Sequence, residues 1–168
     1  MWPYGAAPEI ALLCPVPALH LAAIPLGGPA RQVAAFGTDS APLWTWVTED
    51  APVIRPGAQV FIFPTVSRAA LPQGSPAADL MRSGAHTARR AGRFRRLIDA
   101  TPDGTHPDEA APSAPILAGQ GDDTWTMFWE VDEFVECRIR LDAFRTYDRG
   151  RKFAPSFKLH GPTLARIG

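Results

Sequence analysis

Residues 122–147, DDTWTMFWEVDEFVECRIRLDAFRTY, constrain this chain more than any other stretch. In its second half Val135, Cys137, Ile139, Leu141 and Ala143 alternate with Glu136, Arg138, Arg140 and Asp142. A period of two over nine residues describes a strand with one buried and one solvated face. In the first half Trp125, Met127, Trp129 and Val131 alternate with Thr124, Thr126, Phe128 and Glu130. The phase breaks at Asp132 and Glu133, which predicts two antiparallel strands joined by a tight turn, the core hairpin of a β-rich domain.

The rest of the chain adds short strands to that hairpin. Residues 9–14 (EIALLC) and 19–26 (LHLAAIPL) are apolar segments that their prolines confine to edges or strand ends. Residues 32–36 (QVAAF) and 43–48 (LWTWVT) are predicted strands, Trp44 and Trp46 sharing one face of the second. A turn at Pro56 and Gly57 leads into residues 59–66 (QVFIFPTV), whose unbroken VFIF run fits a strand covered on both sides, with Pro64 ending its ladder. Ser75, Pro76 and Asp79 mark a helix start and Gly84 a stop. Gly92 weakens a helix after that, so residues 93–100 are predicted as a strand. Residues 101–123, rich in proline, glycine and acid, are expected to form a long loop, mobile over part of its length. Residues 157–160 (FKLH) are expected to pair as a last strand. The fold class is α+β, mainly β, a curved antiparallel or mixed sheet or small open barrel with one or two helices. One domain over residues 1–168 is the expectation.

No apolar run reaches the roughly 18 residues of a membrane span, and prolines 3, 8, 15, 17 and 25 break any signal-type helix, so a cytoplasmic protein is expected. Cys14 and Cys137 have no CxxC partner, and Cys137 lies on the apolar face of its strand as an inert thiol would. Of the four histidines, His20, His86, His106 and His160, none accompanies a G-x-S-x-G elbow. Asp122, Asp123, Glu130, Asp132, Glu133 and Glu136 are hard-cation ligand types, yet a solvated strand face explains those on the strands equally well. Glu136 is followed two residues later by Arg138 rather than the lysine of an E-x-K nuclease. Neither phosphate-loop pattern occurs. No metal or cofactor is expected, and binding is favoured over catalysis.

The formal net charge of zero conceals a segregation. Residues 67–100 carry seven positive and two negative charges, residues 101–136 none and nine, and residues 137–168 eight and two. Two accounts fit: mutual neutralisation on the folded surface, or a basic face for polyanions. Under the second, Arg89, Arg90, Arg93, Arg95 and Arg96 around Phe94, with Arg149, Arg151 and Lys152 after the hairpin, are the candidate phosphate contacts. Exposed tryptophans could stack on bases. The alternative class is a structural or interaction subunit of a larger assembly, with no small-molecule site.

The order of Trp44, a strand, a turn at Pro56 and Gly57, then Gln59, Val60, Phe61, Ile62 and Phe63, followed much later by Phe128, Trp129, Glu130 and Val131, resembles the PUA-like superfamily, particularly its EVE and ASCH branches. The likeness in order spans residues 40–145. It implies a small barrel that binds RNA or a modified DNA base in an aromatic pocket. Trp44 and Trp46 would line the pocket, with Arg68 and the arginine cluster on phosphates. Ala58 stands where the family has an acid, and the G-x-K-x-x-E-x-R signature is missing, which argues against an ASCH-type hydrolase activity.

Overall fold

The structure is a computed structural model that describes residues 2–22, 34–48, 50–65, 71–99, 126–154 and 157–167. The expected loop at 101–123 lies outside the described residues, as do Trp125 and Arg68. The elements are β1 (Ile10–Pro17), α1 (Ala18–Ala22), β2 (Ala34–Thr38), α2 (Ala41–Thr48), β3 (Gln59–Thr65), α3 (Pro76–Leu80), β4 (Thr87–Asp99), β5 (Met127–Arg140), β6 (Phe144–Thr146) and β7 (Thr163–Ile167). The fold is mainly β, as the sequence predicts. One seven-stranded sheet runs in the order β2-β5-β4-β3-β1-β7-β6. β1 and β3 pair in parallel and every other pairing is antiparallel. Among the described residues no helix is long and apolar enough to cross a membrane.

The sheet is curled but open. β5 and β6 stand five inter-strand steps apart in that order, about 24 Å in a flat sheet at ~4.8 Å per step. Only the 3-10 turn Leu141–Ala143 joins them, and four extended residue steps reach about 14 Å. The sheet must therefore roll its ends toward each other. Phe144 of β6 accordingly meets Phe61 and Phe63 of β3, with ring centroids 5.0 and 6.4 Å apart. The two end strands, β2 and β6, do not pair, so the roll stops short of a closed barrel.

Alternation along the strands sends residues to two cores. Leu12, Cys14, Val60, Ile62, Phe94, Trp129 and Val131 face one, closed by Leu21 of α1, Leu43 of α2 and Leu80 of α3. Ala11, Leu13, Phe61, Phe63, Ile139, Leu141 and Phe144 face the other, where Trp2 and Tyr4 lie across them. Cys14 and Cys137 are both free and pack into different cores.

The expected hairpin is one strand. β5 runs through Asp132 and Glu133 without turning and pairs with β4 along its whole length. The phase break is a β-bulge. Between Ala91 and Arg93 of β4, β5 advances three residues, from Val135 to Asp132, and Glu133 takes a φ of 54°. The extra residue moves the apolar set from one face to the other. Trp129 and Val131 pack in the first core, Val135, Cys137 and Ile139 in or against the second. Gly92 sits opposite the bulge, where an added Cβ would collide with Val131 and come within 3.1 Å of the Asp132 carbonyl oxygen. The Tyr4 hydroxyl donates to the Glu133 carbonyl at 2.6 Å.

Four further expectations are corrected. Residues 43–48 lie in the helix α2 rather than a strand. Their Trp, Thr and Val content favours a strand, but the Ser40 hydroxyl accepts from Leu43 N at 3.1 Å, Pro42 suits the first turn, and Leu43, Trp46 and Val47 recur at helical spacing against the core. The Thr45 and Thr48 hydroxyls donate to carbonyls four residues back, which satisfies them on a helix. Residues 18–22 are helical, and the rest of the expected second strand lies outside the described residues. The last strand is β7 rather than residues 157–160, because residues 163–167 find both β1 and β6 as partners. The helix start at Ser75 stands as expected, with its hydroxyl accepting from Ala78 N. Nor does Pro64 end the ladder of β3: pairing with β4 stops at Ile62, and pairing with β1 runs through Pro64 to Thr65.

Candidate functional site

The arginines that crowd the sequence around Phe94 do not form an open cationic face. Arg89 is buried, its guanidinium donating to the Asp79 and Leu80 carbonyls at 3.1 and 3.3 Å and lying 3.7 Å from the Asp79 carboxylate. It fastens β4 to the C-terminal end of α3, where carbonyls lack helical partners. Arg90 is buried too, donates to the Arg89 carbonyl and reaches Glu136 at 3.7 Å. Desolvation holds its guanidinium pKa below the ordinary value. Arg93 pairs with Glu133 at 3.0 Å, donates to the Gly57 carbonyl and covers the Tyr4 ring at 4.2 Å. Arg95 reaches Asp132 at 3.6 Å, and Arg96 donates to Glu130 at 2.6 Å. The acids of residues 130–136 are thus spent on the arginines of the neighbouring strand, one for one, which is the neutralisation account of the charge segregation.

A second set converges elsewhere. A groove of about 620 Å³ opens between α2, the turn after β6, and β7. Its aromatic walls are Trp46, Tyr147, Phe153 and Phe157, and its cations are Arg149, Arg151 and Lys152. Asp148 is the one carboxylate in its lining. The three cations are exposed and make no ion pair among the described residues. The turn that carries them is held firmly. Gly150 takes a φ of 61°, its N–H donates to Thr146 O at 2.9 Å, and Thr146 N donates back to Arg151 O at 2.8 Å. The Arg145 guanidinium donates to the Gly150 carbonyl at 3.0 Å. Behind the groove, Arg166 lies over the Tyr147 ring at 4.6 Å and donates to its carbonyl at 2.6 Å.

Of the residues singled out in sequence, the groove gathers Trp46, Arg149, Arg151 and Lys152. Trp44 is 39% exposed on α2 and lies outside it. On a strand the two tryptophans would share a face, but on a helix two residues subtend about 200° and point apart. Sequence reasoning missed Tyr147, Phe153 and Phe157. The signal was present as aromatics flanking the basic turn at residues 148–152, but the approach of α2 to that turn depends on the fold.

The site offers little for covalent chemistry. Burial pushes the Cys137 thiol up to about 12 and Cys14 well above its usual value, so neither is a ready thiolate. Among the described residues no group of three or more His, Cys, Asp or Glu side chains comes together as metal ligands. What the groove can do is place flat rings against aromatics and anionic groups against cations, in a volume typical of ligand sites. No protein-family model, curated protein or solved structure matches this chain.

Proposed function

We propose that this chain is a non-catalytic nucleic-acid-binding module that holds a single strand, of RNA or of DNA with a modified base, in the groove between α2 and β7. The observation that carries the reading is the meeting of Trp46, Tyr147 and Phe157 with three cations that have no ion-pair partner among the described residues, Arg149, Arg151 and Lys152. Base stacking on aromatics and phosphate contacts to Arg and Lys are the two terms of single-strand binding. The cations lie on one short turn, so they follow a backbone path rather than a broad face. The curled, open sheet also suits the resemblance to PUA-like domains, which this proposal extends to function. A cytoplasmic location accords with such a role.

The test is fluorescence anisotropy with labelled single-stranded, duplex and base-modified oligonucleotides at two salt concentrations. The triple substitution Arg149→Ala, Arg151→Ala and Lys152→Ala is expected to weaken single-strand binding and to reduce the slope of log K against log salt by about 2, at ~0.7 per phosphate contact. Unchanged binding in that variant, or no binding by the unaltered protein at low salt, overturns the reading. A protein-interaction subunit would then lead, because Trp44 and Leu19 are large apolar side chains left exposed on helices α2 and α1.

A further inference from the structure

β5 is covered on one side by β4 along its length, but on the other side β2 pairs with it only from Met127 to Val131. The Leu141 N–H donates toward β4, to the His86 carbonyl, and backbone groups alternate sides along a strand. Ile139, Cys137 and Val135 therefore turn their N–H and C=O groups to β4, and Glu136, Arg138 and Arg140 turn theirs outward. Val135, Cys137 and Ile139 all pack in or against the second core, so the alternation is unbroken over this span. Among the described residues no backbone group meets the outward ones.

An open edge is a template for another strand. This one is bounded by the bulge at Asp132 and Glu133 and by the 3-10 turn Leu141–Ala143, which leaves a straight run from Phe134 to Arg140. Cys137 is its midpoint. A second copy laid antiparallel about a two-fold axis at Cys137 sets Glu136 of each chain opposite Arg138 of the other, and Phe134 opposite Arg140. Outward residues meet outward residues in that register, so their backbone groups find partners. Side chains directly opposite have Cβ atoms about 5 Å apart, within reach of an ion pair. The Glu136 side chain is 72% exposed, with a contact to Arg90 at 3.7 Å, and Arg138 is exposed, so both heads can reach across. A slip of the register by one pair opposes Arg138 to Arg138 in one direction and Glu136 to Glu136 in the other, and like charges there are destabilising. These charges do not repel a second copy; they choose its register. The end strands carry no such code, since β2 has no charged residue and β6 is three residues long.

We propose that the chain forms a two-fold dimer in which the outer edge of β5 pairs with the same edge of a second copy about Cys137, carrying the sheet across both chains. The interface is separate from the groove, because none of Phe134, Glu136, Arg138 and Arg140 lines it. One short strand from each chain makes a small contact, so a Kd on the order of 10 μM is expected.

Sedimentation velocity on the full chain from about 1 to 200 μM is expected to show monomer passing to dimer. Arg138→Glu opposes like charges at both symmetric contacts and is expected to weaken the dimer about tenfold or more. Adding Glu136→Arg to that chain makes the charges opposite again and is expected to restore the dimer. Glu136→Arg also takes away the Arg90 partner, so amide exchange in the wild type supplies a reading that needs no substitution. Between the two concentrations the Glu136, Arg138 and Arg140 amides are expected to slow about fivefold, and those of Val135, Cys137 and Ile139, already bonded to β4, less than about twofold. A monomer at about 200 μM, an Arg138→Glu dimer as tight as the wild type, or a folded double variant that stays monomeric overturns the interface. Protection that falls equally on neighbouring amides overturns it too, and should the double variant not fold, the exchange pattern decides.

Discussion

Arg96 and Glu130 face each other directly in the β4–β5 register, and the pair offers a sharp test of whether the arginine-rich strand serves binding or folding. The Glu130 side chain is 3% exposed and that of Arg96 53% exposed, with Nε 2.6 Å from Oε1. Arg96→Met keeps the apolar stem and removes the guanidinium, leaving a buried carboxylate short of its cation. Breaking a fully buried pair in this way costs about 3–5 kcal/mol. Water reaches the arginine half of this one, so about 2–3 kcal/mol is expected. For a chain of this length that lowers Tm by roughly 5–10 °C, at ~2–4 °C per kcal/mol. The assay is urea unfolding followed by tryptophan fluorescence, with the midpoint falling and the slope unchanged. Glu130→Leu combined with Arg96→Met removes both charges and is expected to recover much of the loss, giving a coupling energy of ~1 kcal/mol or more. A wild-type midpoint in Arg96→Met, together with weaker oligonucleotide binding, would refute the reasoning and return Arg96 to the phosphate-binding set.

Two other outcomes follow from the fold. Gly92→Ala is expected to cost about 1–3 kcal/mol, because the new methyl group would press on Val131 and the Asp132 backbone where β4 and β5 close up at the bulge; a thermal midpoint within a degree of wild type would show that the strands part freely there. Stability is expected to fall in alkali. The Cys137 thiol ionises near 9 when unfolded and near 12 when folded, so its contribution is complete below pH 9 and is lost as pH rises through 12. Cys14 and Tyr4 shift in the same direction. Replacing both cysteines by alanine should flatten the profile between pH 9 and 10.5, where Cys137 alone accounts for up to about 2 kcal/mol; an identical slope in that variant would show that other groups set it.

The sequence was most legible where local chemistry decides. Ser75 caps α3 through its hydroxyl, and the unbroken VFIF run is buried in β3, because capping and two-sided burial leave marks at fixed positions. It was least legible where partners decide. A bulge and a turn interrupt alternation identically, so residues 132 and 133 could not reveal that β5 continues. The β-forming residues of α2 yielded to a serine cap and to the packing of Leu43, Trp46 and Val47. The arginines of β4 looked available because their acids arrive from β5, about 40 residues along the chain at ion-pairing distance only after the sheet forms. For the groove, the basic turn was visible as a motif, whereas Trp46 joins it only through the placement of α2.

The pairing of β1 with β7 has a kinetic meaning. Ile10 meets Arg166, so this ladder closes nearly the whole chain on itself, whereas β6 and β7 or β3 and β4 lie closer in sequence. Entropy delays such a closure until nearer contacts have formed, since the cost grows with the logarithm of the loop. The groove takes Pro42 and Trp46 from α2 and its other walls from β7 and the turn after β6, so it is complete only once the C-terminal strands have joined the rest of the sheet, and it is dismantled whenever they part. Occupancy and end-strand opening then run on one clock, and a strand held in the groove is also a latch on the last piece of the sheet to arrive.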